Sequence, residues 1–360
     1  MQASPEFKLA VECCRGSFAG PRPDAAARQS NEVDWRRFIE LVHFHRIEGL
    51  AWNCLSNNDS LLPAAVRKEL SDAATEIAAD SLRAAAECAA LRDSFAAEGI
   101  ALLFLKGLPL GSLAYGNPAI KAAIDIDLLV DPGNLAGAAE CLRRRGYRQI
   151  IPGTNRSLRA WHLRSKESVW ARRDPPFQID LHTRTADNPR LIPEINAHSP
   201  SQPVEMGPGL CVSTLADDEL FAYLSVHGAS SAWFRLKWIA DFAGFLNSKR
   251  PHEIEQLYRR SQELGAGRSA GQGLLLADRL FGSLSQNAAF RGELGCDRVT
   301  RLLTKLAMAF LTRSPSEPTE RVLGTLPLHL AAFLLMPGWR YKLSELSGQG
   351  GKLLDRLANG

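Results

Sequence analysis

Apolar and polar residues recur along this chain with two different periods, and the change from one to the other marks its organisation. After Val33-Asp34-Trp35, the apolar residues Phe38, Ile39, Leu41 and Val42 share one helical face. The alanine-rich stretch 63–98 predicts a long helix, with Gly99 as its stop. The period then shortens. Residues 100–105 (IALLFL) and 124–130 (IDIDLLV) are short apolar runs that suit buried strands, and 147–151 and 177–182 follow as two more. Between the first two runs, residues 108–115 predict a brief helix ended by Gly116-Asn117-Pro118, and Pro132 opens another that Gly146 closes. From Thr214, read as an N-cap ahead of Asp217, Asp218 and Glu219, the helical period returns. Helices are expected over 233–246, 253–264 and 299–311, and the Pro- and Ser-rich stretch 188–208 reads as a linker.

The pattern predicts an α+β protein: a helical region (1–99), a small mixed α/β unit (100–187), a linker (188–213) and a helical domain (214–360). A length of 360 residues agrees with about two domains. Hydrophobic residues at 45% and charged residues at 23% are globular values, which excludes wholesale disorder. No apolar run approaches the roughly 20 residues of a membrane helix. The N-terminal stretch has no basic segment followed by an apolar one, so no secretory signal is expected. Seven cysteines without C-x-x-C spacing argue against a disulfide framework and a zinc ribbon alike. A cytoplasmic protein is the expectation.

Charge adds one feature. Between Leu142 and Arg173 stand ten basic residues against a single acid, Glu167, in a chain whose net charge is only +4. Such a block either attracts a polyanion, such as a triphosphate or a nucleic acid, or is a solvated helix end and loop.

The candidate chemistry lies in the short apolar runs. Asp125 and Asp127 stand two apart in a strand, so both carboxylates project to one face while Ile126 and Leu128 point to the other. Two ionised carboxylates this close repel each other, and a divalent cation bound through oxygen would relieve the repulsion. The plainer reading is two acids at the solvated end of an edge strand. Lys106-Gly107 joins the first strand to the short helix, where glycine permits close backbone approach, the helix start offers N–H groups to an anion, and lysine adds a positive charge. Asp180 repeats the apolar–Asp–apolar setting in a later strand; it either completes a two-metal site and accepts a proton from an attacking hydroxyl or is an isolated strand acid. His182 lies on the same strand face. His227, Arg235, Lys237 and Asp241 either line a base or acceptor cleft or cap and pair helices, whereas His43 and His45 read as packing or surface residues.

The words LKGLPLGSLAYG, DIDLLV, LRRRGY and IDLH, with the downstream VHGASSAWFRLKWIADFAGFL, resemble the bacterial nucleotidyltransferase-like family NTP_transf_5 of the polymerase-β-type superfamily. The resemblance spans about residues 30–250. It implies a small polymerase-β-like nucleotidyltransferase sheet between the two helical regions. It also implies that Asp125, Asp127 and Asp180 are catalytic residues and hold Mg2+ (or Mn2+), and that Lys106-Gly107 stands where the superfamily usually has Gly-Ser. Lys106, Gly107, Lys121, His182 and Arg235 would be the nucleotide-binding residues. Lys121 occupies a place where the family often has arginine, keeping the charge but losing the two-pronged geometry. The function so implied is transfer of a nucleoside monophosphate from a triphosphate to an acceptor, with release of pyrophosphate. The acceptor would be a small molecule or a peptide, since some members of the family accompany lasso-peptide gene clusters. The competing readings are transfer of the γ-phosphate, a non-catalytic nucleotide- or partner-binding protein of the same fold and, third, modification of nucleic acid, for which no recognised binding module is present. No membrane partner is expected.

Overall fold

The computed structural model describes residues 3–20, 32–56, 62–122, 125–153, 156–313 and 324–357. The chain begins with α1 (Pro5–Ala19), α2 (Trp35–His45), α3 (Glu48–Leu55) and the long α4 (Ala64–Ala97). The sheet region follows: β1 (Leu103–Phe104), α5 (Leu108–Tyr115), β2 (Asp125–Leu129), α6 (Leu135–Arg144), β3 (Arg148–Ile151), α7 (Leu158–His162), β4 (Glu167–Arg173) and β5 (Pro176–His182). A hairpin, β6 (Ser201–Gly207) and β7 (Leu210–Leu215), leads into the helices α8 (Asp217–Ser230), α9 (Leu236–Asn247), α10 (Pro251–Glu263) and α11 (Arg268–Phe281). The described chain ends with α12 (Ala288–Leu294), α13 (Arg298–Leu311), α14 (Leu326–Ala332) and α15 (Trp339–Leu357). The protein is therefore α+β, as its pattern predicts.

Five strands form one mixed sheet in the order β1-β2-β5-β4-β3. β2 and β5 run parallel in its middle, and the other pairings are antiparallel. Alternation along the central strands divides their side chains. Ile126, Leu128, Ile179 and Leu181, with Trp170 from β4, pack with Ala84, Cys88, Leu91 and Phe95 of α4 and Ala138 and Leu142 of α6. The aspartates occupy the alternate positions and so the opposite face. On that side Leu103, Leu105 and Leu129 join a second, larger core built from α1–α3 together with α8, α9, α11 and α13. Helices from both ends of the sequence thus share one core, and the acidic face of the sheet meets it at a seam.

Three sequence expectations change. The stretch 188–213, expected as a linker, contains β6 and most of β7. Val204 and Met206 are buried while Pro203 and Glu205 are exposed, the alternation of a half-buried hairpin in which proline sits at a tolerated edge. Thr214 does not cap a helix: it is buried in β7, and α8 starts three residues later at Asp217 with no side-chain cap. Ile124, expected to open the second strand, lies outside the described residues.

The basic block is the third correction. The sequence leaves it facing either a polyanion or solvent, and half of its charges pair with acids of the fold. Arg143 pairs with Glu140, Arg144 with Glu98 and Lys166 with Glu167. Arg145 and Arg172 both reach the buried Glu87 of α4, at 2.8 and 2.7 Å, and the Tyr147 hydroxyl donates to the same carboxylate at 3.0 Å. The Glu87 contacts fasten α4 across the sheet on the face away from the aspartates.

Candidate active site

Backbone pairing brings the candidate residues together. The Leu105 N–H donates to the Asp127 carbonyl at 3.1 Å, which carries the β1–β2 pairing one residue further and delivers Lys106 over β2. Gly107 then turns the chain with φ 75° and ψ −126° before α5 begins. A Cβ there would meet nothing nearer than the Asp125 carbonyl oxygen at 3.8 Å, so glycine is required for the backbone angle and not for space. Gly111 and Ser112 lie inside α5, as expected from the sequence.

Because β2 and β5 are parallel, Asp127 pairs in register with Asp180, Asp125 with Gln178 and Leu129 with His182. Ligand atoms of Asp127, Asp180 and His182 all lie within 4.8 Å of one another. Asp125 is the less buried member of its pair and stands outside this group, with 30% of its side chain exposed against 2% for Asp127. Lys106 lies between them, its Nζ 2.6 Å from Asp127 Oδ2 and 3.4 Å from Asp125 Oδ2. The repulsion that the D-x-D spacing predicts is therefore balanced by a lysine from the preceding turn.

The third strand of the site was not read from the sequence. Glu167 on β4 is in register with His182, and the imidazole stands between two carboxylates. Its Nε2 is 3.0 Å from Asp127 Oδ1 and its Nδ1 is 3.3 Å from Glu167 Oε2. Lys166 closes the row at 3.0 Å from Glu167. The signal was present as Glu167 and Val169 alternating with the buried Ser168 and Trp170, but the surrounding arginines hid it.

Electrostatics follow from this row. Burial works against the Lys106 ammonium, but Asp127 and Asp125 outweigh it and hold it well above the usual lysine range. Burial likewise opposes ionised Asp127, yet the Lys106 charge and the His182 hydrogen bond keep its carboxyl far below the usual range. Asp180 accepts a hydrogen bond from Gln178 Nε2 at 3.1 Å, and the Lys106 charge is the smallest of the influences on it. Burial, then the charges of Asp127, Glu167 and Asp125, push its carboxyl up to about 7. One strongly ionised and one easily protonated carboxylate side by side is the division of labour that acid–base sites use.

The donor set suits a hard divalent cation. Two carboxylate oxygens fit Mg2+ or Mn2+, and the imidazole, already engaged by carboxylates, fits better as an orienting neighbour than as a ligand.

The remaining candidates lie in two places. Lys121 pairs with Asp241 of α9, whose other oxygen accepts a hydrogen bond from Tyr115 at 3.0 Å. Arg235 is not brought to the cluster: its guanidinium donates to the Phe44 carbonyl and lies over the Phe44 and Phe234 rings at 5.1 and 5.2 Å. Beside it the buried His45 accepts the Leu236 N–H at 3.1 Å, a packing role as expected. Two α8 side chains, Tyr223 and the sequence candidate His227, bear on the cluster from the helical core. Both interact electrostatically with Asp127, Lys106 and Lys166.

No helix of the described residues is long and apolar enough to cross a membrane. A search of curated proteins finds no match. Residues 31–282 match the family model NTP_transf_5, described as "Uncharacterised nucleotidyltransferase". That span takes in the whole five-stranded sheet, the Lys106 turn and the α8–α9 pair, and the chain accordingly belongs to this family and is a nucleotidyltransferase.

Proposed function

We propose that the protein transfers a nucleoside monophosphate from a nucleoside triphosphate to an acceptor hydroxyl, with pyrophosphate as the other product. The in-register Asp127–Asp180 pair, one carboxylate held ionised and its neighbour easily protonated, is the observation that supports this reading best. Asp127 and Asp180 would hold Mg2+, or Mn2+ in its place, with Asp125 at the exposed rim. The cation would supply charge neutralisation at the α-phosphate and the leaving oxygen. Asp180 takes the proton of the attacking hydroxyl. His182, hydrogen-bonded through Nε2 to Asp127, holds that carboxylate in position, with Glu167 3.3 Å from its other ring nitrogen. Lys106 and the Gly107 turn would face the triphosphate; a cation balancing Asp125 and Asp127 in place of the lysine would release its ammonium to pair with a phosphate oxygen. Lys121 would reach a phosphate only by leaving its ion pair with Asp241, and burial and the Lys121 charge push the neighbouring Lys237 down to about 7. A peptide or small molecule in the cytoplasm is the proposed acceptor.

Label transfer tests the reaction. Given triphosphate labelled at the α-position, Mg2+ and a cell extract as acceptor source, the label is expected to enter an acceptor. Label entering only from the γ-position would overturn nucleotidyl transfer in favour of a kinase. Binding of nucleotide without transfer from either position would favour a non-catalytic role.

A further inference from the structure

One face of α8 carries two polar atoms that the fold buries and leaves unsatisfied. The Tyr223 hydroxyl and His227 Nε2 have no hydrogen-bond partner among the described residues. The two residues are one helical turn apart, so they share a face, and their rings lie 5.8 Å apart at 32°. The Trp238 ring stands nearly perpendicular to His227, with the ring centres 5.8 Å apart. The charges bearing on Tyr223 are Asp127, Lys106, Lys166 and Glu167, and those bearing on His227 are Lys106, Lys166, Asp127 and His182. Both side chains therefore lie within electrostatic reach of the carboxylate cluster.

A buried hydroxyl or ring nitrogen without a partner costs free energy that an apolar side chain of similar shape would not. A ligand group that satisfies both atoms accounts for their presence. Both are neutral, since burial pushes the phenol up and the imidazole well down. Phosphate is better served by Lys106 and Lys166. A neutral hydroxyl can accept from the phenol and donate to the imidazole nitrogen at once. In a nucleoside triphosphate, the neutral hydroxyl-bearing group nearest the α-phosphate is the ribose. We propose that Tyr223 and His227 form the subsite for a ribose hydroxyl and make the enzyme select ribonucleoside over deoxyribonucleoside triphosphates. This rests on the proposed function, in which a triphosphate occupies the cluster.

Calorimetry with Mg2+ tests the subsite through binding, independently of turnover. The probes are the four ribonucleoside triphosphates, their 2′-deoxy and 3′-deoxy forms, and inorganic tripolyphosphate. The tightest ribonucleotide is expected to bind at least about tenfold better than one of its deoxy forms. Tyr223→Phe and His227→Phe are each expected to shrink that ratio to about twofold or less, with tripolyphosphate binding retained. Tyr223→Phe removes an unpartnered hydroxyl, so it is expected to melt no lower than the wild type. Equal binding of ribo and deoxy forms by the wild type, or a preference that survives both substitutions, overturns the subsite. If tripolyphosphate binds and nucleosides add nothing, the subsite fails and the phosphate site stands. If neither binds, the proposed function fails with it.

Discussion

Asp180→Asn is expected to lower nucleotidyl transfer by about 10²–10⁴-fold, the range for loss of a positioned acid–base group, while the protein melts no lower than the wild type. The two halves of this result have one cause. Asp180 is half-buried beside Asp127 and near Glu167, and desolvation with these charges raises its carboxyl to about 7. A carboxyl raised above its unfolded value of about 3.9 is destabilising once ionised, so wild-type stability should fall through this group as pH rises from about 4 to 7. Asparagine keeps the shape and removes that loss. Thermal melts at pH 5 and pH 8 should show a smaller decline in the variant, beside its failure in the label-transfer assay. Retained turnover would remove Asp180 from the mechanism. Asp127 behaves differently, because it is itself buried and carries the compensating charge for the half-buried Lys106. Asp127→Asn should also abolish transfer, but it leaves the lysine with only the longer contact to Asp125 and is expected to lower the melting temperature.

Glu87→Ala is expected to cost about 3 kcal/mol of stability, the low end for breaking a buried ion pair. Glu87 accepts from Arg145, Arg172 and Tyr147, so its loss strands two guanidinium groups and a phenol where α4 crosses the sheet. The low end applies because the Arg145 side chain keeps 22% of its exposure and can reach water. Equilibrium denaturation checks the figure. Because the network lies on the face away from the aspartates, folded Glu87→Ala should retain transfer below its melting point. A loss under about 1 kcal/mol would show that the arginines find other partners.

Much of this arrangement was legible in the sequence. The extents of α4 and α5 followed from alanine content and from Gly116-Asn117-Pro118, and the alternation of Asp125, Asp127 and Asp180 with apolar neighbours put the acids on one face. Parallel pairing of β2 and β5, which no local pattern specifies, decided that Asp127 and Asp180 are the close pair and left Asp125 at the rim. β4 is hidden because it ends in Arg172-Arg173 within a run of basic residues that reads as loop. Its pairing with β5 is what brings Glu167 to His182. The hairpin β6–β7 was hidden by prolines and glycines that serve as edge and turn residues. Long-range contacts also reassigned charges: the basic block faces Glu87 and Glu98, and Arg235 faces Phe44, because helices from distant parts of the sequence pack there.

The proposal that Asp127 and Asp180 together hold a divalent cation is tested most directly by titrating Mn2+ into the protein and following the free-ion paramagnetic resonance signal, with and without tripolyphosphate. The wild type should take up Mn2+ saturably, and Asp127→Asn and Asp180→Asn should each weaken that uptake by at least about tenfold, with both variants folded by circular dichroism. Uptake by both variants indistinguishable from that of the wild type would contradict it.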